Sequence, residues 1–226
     1  MEMNLLDLGL TEYGSCLELQ KKIRELRENE LIKDTLILTE HKPVITLGCR
    51  GNDEHILAGK ELLENMGIEI HSSNRGGDVT YHGPGQIVGY PIINLKKANI
   101  SAKDYLDNLL EIFIQLLKNE YNINAHKENK EYTGVWIGKE KITAIGIHVK
   151  HMVTMHGFAY NVSTNMEHFK LINPCGLTDR TPVSLEMLTG KKISMTDAKK
   201  QVVEYFEKVF DATLEDITLS EVKKHV

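Results

Sequence analysis

Residues 75–86 read RGGDVTYHGPGQ, and four glycines and a proline in so short a run forbid a continuous helix there. Gly76, Gly77, Gly83 and Gly85 carry no Cβ and accept positive φ, so the backbone can turn sharply and bring its N–H groups close to a ligand. Arg75, Asp78, Tyr81 and His82 add hydrogen-bonding side chains in the same place. A β-hairpin whose glycines only serve turns would account for the glycines. The four functional side chains point instead to a site.

The flanking sequence alternates short strand-like and helical patterns. Cys16, Leu19, Ile23 and Leu26 recur at helical spacing within residues 11–30 and predict an amphipathic helix lying on a sheet. Residues 35–38 and 44–48 read as strands separated by Pro43, a helix near 60–66 ends at Gly67, and residues 68–71 form a further strand. After the glycine segment comes a strand over 87–95. A long helix follows from Ser101, with Asp104 at its third position and Leu106, Leu109, Leu110, Phe113, Leu116 and Leu117 as its buried face. The runs TGVWIG and KITAIGIHV predict a hairpin, strand character resumes at HMVTMHGFAYNV, and a helix over 196–210 turns Val202, Phe206, Val209 and Phe210 inward. The expectation is an α+β fold, one domain spanning 1–226, with a mixed sheet flanked by helices and a small helical C-terminal part.

Composition narrows the function. At 226 residues, 41% hydrophobic and 26% charged, the chain can bury a core without staples, and no apolar run approaches the roughly 20 residues of a membrane span. The N-terminus shows neither a signal-peptide nor a transit-peptide pattern, so a cytoplasmic location is expected. A net charge of −5 argues against general nucleic-acid binding. Cys16, Cys49 and Cys175 are widely spaced and odd in number, which indicates neither a disulfide framework nor a zinc ribbon.

Cys175 lies in Asn173-Pro174-Cys175-Gly176, where proline and glycine favour a tight turn that exposes the thiol, whereas Cys16 and Cys49 read as small packing residues. A nucleophilic thiolate needs a base or cation nearby, and the candidates are His82, His148, His151, His156 and Lys141. On a regular strand Lys141 shares its face with Thr143, Ile145, Ile147 and Val149, a mostly apolar set; a lysine at a hairpin end reaching water fits the same pattern. The spacing of His148, His151 and His156 matches no metal motif, and no nucleotide-phosphate motif is present, so neither a metal nor another cofactor is expected.

Taken together, EHKPVITLGCR at 40–50, RGGDVTYHGPGQIVGYPIINL at 75–95, GVWIGKEKITAIGIHV at 134–149, VTMHGFAYNV at 153–162 and NPCGL at 173–177 resemble one family in order and content. It is that of the lipoyl(octanoyl) transferases, octanoyl-[acyl-carrier-protein]:protein N-octanoyltransferases. The resemblance covers most of residues 40–185 and implies a fold like that of biotin and lipoate protein ligases. It also implies an acyl-thioester on Cys175 supported by Lys141. The substrate pocket it implies comprises Arg75, Gly76, Gly77, Asp78, Val79, Thr80, Tyr81, His82, Ala144, Ile145, Gly146, Gly157, Phe158 and Ala159. One departure stands out, since the family usually carries an arginine-like residue where this chain has His148.

The implied donor is octanoyl-acyl-carrier protein, the implied acceptors are lipoyl domains of lipoate-dependent enzymes, and a monomer is expected. Moving an acyl group from a thioester to an amine is downhill and needs no nucleotide, in keeping with the absent ATP motif. Carrier proteins are usually acidic, so attraction to this acidic chain needs a local basic patch, for which Lys139, Lys141 and Lys150 are candidates. Two other readings remain open on the sequence: an ATP-dependent lipoate ligase, and a noncatalytic acyl-binding module.

Overall fold

The computed structural model describes residues 1–128, 132–173 and 180–224. The chain opens with strand β1 (Glu2–Thr11), helix α1 (Tyr13–Glu28) and strands β2 (Asp34–His41) and β3 (Val44–Leu47). Helix α2 (Lys60–Asn65), β4 (Glu69–Ser72), β5 (Val79–His82) and β6 (Gln86–Ile92) follow, and then the short helix α3 (Leu95–Ala98) and the long α4 (Ala102–Tyr121). Next come β7 (His126–Glu128), β8 (Gly134–Ile137), β9 (Glu140–Lys150), β10 (Val153–Asn161) and β11 (Thr181–Pro182). The chain closes with α5 (Leu185–Thr189), α6 (Met195–Phe210), β12 (Thr213–Asp216) and α7 (Leu219–Lys223).

Among the described residues the main sheet has the order β12-β1-β2-β6-β10-β9-β8-β7, with β11 added beside β9. It is mixed: β1 runs parallel to β2 and β12, while β2, β6, β10, β9, β8 and β7 pair antiparallel in turn. A smaller sheet, β4-β3-β5, carries the first half of the glycine segment. This excludes the hairpin reading, because β5 pairs with β3 in the small sheet and β6 with β2 and β10 in the large one.

Helix α1 covers one face of the large sheet. Cys16, Ile23 and Leu26 meet Ile37, Val88, Tyr90 and Ala159 there. Helices α4 and α6 cover the other. Ser101 caps α4, its hydroxyl accepting from the Asp104 N–H at 3.1 Å and donating to the Asp104 carboxylate at 2.7 Å. Phe113 then packs on Phe158 of β10 with ring centroids 4.9 Å apart. The Phe158 ring occupies the space that a side chain at position 89 would take, since an added Cβ on Gly89 would lie 2.0 Å from Phe158 Cζ.

Strands β1, β7, β11 and β12 escape the sequence patterns. In β1 Met3 and Leu6 are buried on opposite faces of the sheet, and the register then shifts between Asp7 and Leu10, with Gly9 at a φ of 62°. Strand β12, sequence TLED, is a largely exposed edge and shows no apolar periodicity, yet it pairs with β1 from Glu2↔Thr213 to Leu5↔Asp216. The C-terminal part is therefore not purely helical, because it returns a strand to the main sheet. No helix among the described residues is long and apolar enough to cross a membrane.

Replacing Gly89 with Ala forces Phe158 or its strand to move, and we expect a loss of about 1–3 kcal/mol in denaturant unfolding. An unchanged unfolding midpoint would show that the Phe113–Phe158 contact does not constrain the sheet.

Candidate active site

A cavity of about 750 Å³ opens beside β9 and β10, against the glycine segment. Its walls include Arg75, Gly76, Gly77, Asp78, Val79, Thr80, His82, Lys141, Ala144, Ile145, Gly146, Gly157, Phe158 and Ala159. Tyr81 is placed elsewhere. It is buried outside the cavity lining, with its hydroxyl 2.7 Å from His168 Nδ1.

The glycine segment reaches β9 by main-chain contact. Gly76 N–H donates to Ile147 O at 3.0 Å, and an added Cβ on Gly146 would come within 2.6 Å of Gly76 O, so position 146 admits no side chain without displacing backbone. Cys49 N–H and Arg50 N–H donate to Arg75 O and Gly77 O at 2.9 and 3.0 Å, which binds the segment to the turn after β3. Gly77 holds a φ of 93°, a conformation that glycine adopts readily. The buried Arg75 guanidinium donates to Thr46 O at 2.6 Å, to Thr46 Oγ1 at 2.9 and 3.1 Å and to Gly76 O at 3.2 Å. Arg75 is thus fixed mainly by oxygens of β3 and shapes the wall.

Lys141 reaches the cavity through a bulge. Gly134 pairs with Ala144 and Val135 with Thr143, but Trp136 pairs with Lys141, so Ile142 is the extra residue. The bulge reverses the alternation and moves Lys141 off the Thr143, Ile145, Ile147 and Val149 face expected from a regular strand. Its side chain instead runs over Gly134, where an added Cβ would lie 2.9 Å from Lys141 Cε. Its Nζ donates to Thr133 O at 3.3 Å and stands 4.8 Å from the centre of the Trp136 ring.

Cys175 lies outside the described residues. The positions on either side of its segment do not, and Asn173 and Arg180 both line the same cavity as Lys141. Downstream, β11 pairs in parallel with β9 at Thr181↔Glu140 and Pro182↔Lys141, and Val183 N–H donates to Lys141 O at 3.0 Å. Cys16 is buried on α1, and burial pushes its thiol up to about 12. Cys49 is exposed rather than packed, because the turn after β3 leaves it at the surface, where Sγ donates to Asn74 O at 3.2 Å.

The histidines separate into two groups. His82 and His156 line the cavity, whereas His148 and His151 do not, and His151 is an exposed turn residue 3.4 Å from the Glu28 carboxylate. Burial holds His82 down at about 3, with neighbouring His41 adding to the effect, and holds His156 at about 3, with the Arg75 charge next in weight. Burial likewise lowers His41 to about 4. These rings are neutral near pH 7 and serve in hydrogen bonds: His82 Nδ1 with Gln86 Oε1 at 2.7 Å, His156 Nε2 with Asn74 Oδ1 at 2.8 Å, His41 Nε2 with Tyr90 OH at 2.7 Å. Among the described residues, no group of three or more His, Cys, Asp or Glu side chains could hold a metal ion.

Several wall residues are not among the expected site residues: Tyr13 and Arg180 lie outside the motif segments, and Tyr90 and Trp136 lie inside them without being marked as wall. Tyr13, Tyr90, Trp136 and Arg180 reach the cavity from four elements or loops, and only the fold brings them together. Lys139 and Lys141 lie at one end of β9 and Lys150 at the other, about 30 Å away at ordinary strand rise. They do not form a single patch. Among the described residues, Arg50, Lys170 and Arg180 are the other cationic side chains that line the cavity beside Arg75 and Lys141.

The lipoyl protein ligase A/B catalytic domain family matches residues 12–207. An octanoyltransferase of Caldicellulosiruptor saccharolyticus is 50% identical over 99% of this chain and 95% of its own length. One from Desulforamulus reducens is 48% identical over 98% of both. The chain belongs to the octanoyltransferase family. Its fold is shared more widely: a crystal structure of lipoate-protein ligase A bound with ATP matches with a TM-score of 0.79 at 15% identity, covering 99% of this chain and 92% of that one. Biotin protein ligase from Aquifex aeolicus in complex with biotin and ATP matches with a TM-score of 0.55 at 14% identity, over 92% of this chain and 70% of that one. The octanoyltransferase family thus shares its mixed sheet and flanking helices with ligases, and the likeness to those solved structures carries the fold alone.

The buried histidines give this octanoyltransferase-family fold a pH signature. Because the folded values of His41, His82 and His156 lie below the ordinary 6.5, the unfolded chain takes up protons first as pH falls. The stability they contribute is fully present above about pH 6.5 and is lost on descending towards about 3 to 4, at most on the order of 1 kcal/mol per group per pH unit. Urea unfolding should show a lower stability at about pH 5 than at about pH 7. A level profile between them would contradict neutral burial of these rings.

Proposed function

We propose that this chain, acting as one catalytic domain over residues 1–226, transfers an octanoyl group from octanoyl-acyl-carrier protein to a lysine amine of lipoyl domains. The transfer passes through a thioester on Cys175. The observation that carries this reading is the convergence at one cavity of Lys141 with Asn173 and Arg180, the residues bordering the segment that contains Cys175. Identities near 50% with octanoyltransferases along nearly the whole chain supply the reaction class.

Each step has a group to perform it. The Cys175 thiolate attacks the donor thioester carbonyl, and the carrier's thiolate leaves and takes a proton from the Lys141 ammonium. The acceptor lysine amine then attacks the new thioester, the Cys175 thiolate departs, and the amine proton passes to the Lys141 amine left neutral by the first step, which restores its ammonium. The Lys141 ammonium, held over Trp136 and against Thr133 O, supplies the positive charge that favours thiolate over thiol. Ala144, Gly146, Gly157 and Ala159 keep the β9 and β10 wall low, which leaves room for an alkyl tail. Each buried methylene contributes about 0.8 kcal/mol.

An ATP-dependent ligase on the same fold would activate a free carboxylate and leave the cysteine without a task. A noncatalytic acyl-binding module would hold the chain without turnover. After incubation with octanoyl-acyl-carrier protein, intact mass should rise by one octanoyl group as a hydroxylamine-labile adduct, and Cys175→Ser should abolish it; persistence of the adduct in that variant would falsify the nucleophile. Lys141→Ala should slow alkylation of Cys175 at neutral pH, and equal rates would remove Lys141 from thiolate activation. The donor, the acceptors and action as a monomer in the cytoplasm all belong to this proposal.

A further inference from the structure

Tyr81 and Asp78 belong to the glycine segment, yet each reaches towards the chain that leads into Cys175. The Tyr81 hydroxyl is hydrogen-bonded to His168 Nδ1 at 2.7 Å, and its ring meets Phe169 edge-on at 5.4 Å. Gly83 makes this possible, since an added Cβ there would stand 2.0 Å from the Tyr81 oxygen. His168 and Phe169 lie in the 3₁₀ turn Met166–Leu171, whose Met166, Glu167, Phe169 and Lys170 line the cavity.

Asp78 acts at the other end of the same stretch. Its Oδ2 stands 2.7 Å from His55 Nδ1, close enough for an ion pair though off the line of an ideal N–H···O bond. The His55 carbonyl accepts the Asn173 N–H at 2.8 Å. Leu57 N–H donates to Leu171 O at 2.8 Å, and Ile56 and Ile172 form an isolated bridge. Main-chain bonds thus tie residues 171–173 to 55–58, and the side chains of His55 and His168 join that unit to Asp78 and Tyr81 of the glycine segment.

We propose that Asp78 and Tyr81 are positioning residues for the acyl-transfer step: together they grip residues 166–173 at both ends and fix the point from which the chain delivers Cys175. The inference rests on Cys175 being the nucleophile. Asp78 acts through His55 and Asn173, and Tyr81 acts through His168. A displacement of the nucleophile by about 1 Å is enough to slow such a step by up to about a hundredfold.

The test measures, in the full-length protein, the single-turnover rate of acyl-enzyme formation, KM for octanoyl-acyl-carrier protein, the melting temperature, and the adduct site by peptide mapping. Tyr81→Phe, which removes one oxygen, should lower the acylation rate by about tenfold with KM within about twofold of wild type. His168→Ala should give the same loss, and His168→Gln, which keeps a hydrogen-bonding group, should recover part of it. Asp78→Ala should also slow acylation at constant KM, with Asp78→Asn retaining more of the rate. Wild-type acylation rates in Tyr81→Phe and Asp78→Ala, with the adduct mapped to Cys175, would overturn the positioning role and leave the nucleophile intact. A raised KM at unchanged rate would make Asp78 a substrate contact instead, and a lowered melting temperature at unchanged rate would make either residue merely structural. An adduct mapped away from Cys175 in the wild type would overturn the nucleophile assignment, and the positioning role with it.

Discussion

The hydrogen bond from Gly76 N–H to Ile147 O joins the small sheet to the large one at the place where the cavity forms. It exists because two positions lack side chains. With a Cβ at residue 146, Gly76 O would be met at 2.6 Å, the glycine segment would stand off from β9, and its wall would move away from Lys141. Tyr13, Leu17, Val44 and Met155 close the same junction with an apolar cluster. Arg75, tied to Thr46 by three bonds, stiffens the segment from the β3 side. The cavity is therefore a consequence of how two sheets are fastened, and its position does not depend on any single loop.

The helices were legible in the sequence because each buries one stripe. Cys16, Ile23 and Leu26 on α1, Leu109 to Leu117 on α4, and Val202 with Phe206 on α6 lie where the 3.6-residue period places them. Strands that follow the two-residue period were legible for the same reason. What failed was tied to broken periods: the register shift in β1, the polar edge strand β12, and above all the bulge at Ile142 that turns Lys141 to the cavity face. A bulge adds one residue without any distinctive residue type, so a pattern of alternation cannot reveal it.

The motif residues show a similar division. The short-range content of residues 75–82 was readable as a cavity wall, since glycines permit close approach wherever they fall. Tyr81 was read with its neighbours as part of that wall, but its partner His168 lies 87 residues further on, a pairing that only the fold creates. The same holds for Tyr13, Tyr90 and Trp136, which no local pattern marks as wall residues and which line the cavity because α1, β6 and β8 converge there. Cavity histidines looked like candidate bases by type alone. Burial lowers His82 and His156 to about 3, so near pH 7 neither ring is a strong base or carries a positive charge, which leaves Lys141 as the candidate that brings a cation to the cavity.

The central claim is that the octanoyl chain occupies the cavity between the glycine segment and the β9 and β10 wall, with Lys141 at its reactive end. A crystal structure of the octanoylated enzyme tests this most directly. The account predicts alkyl density running past Ala144, Gly146 and Gly77 from a thioester on Cys175, with Lys141 Nζ within hydrogen-bonding distance of the thioester group. An acyl chain bound outside this cavity, or a thioester remote from Lys141, would contradict it.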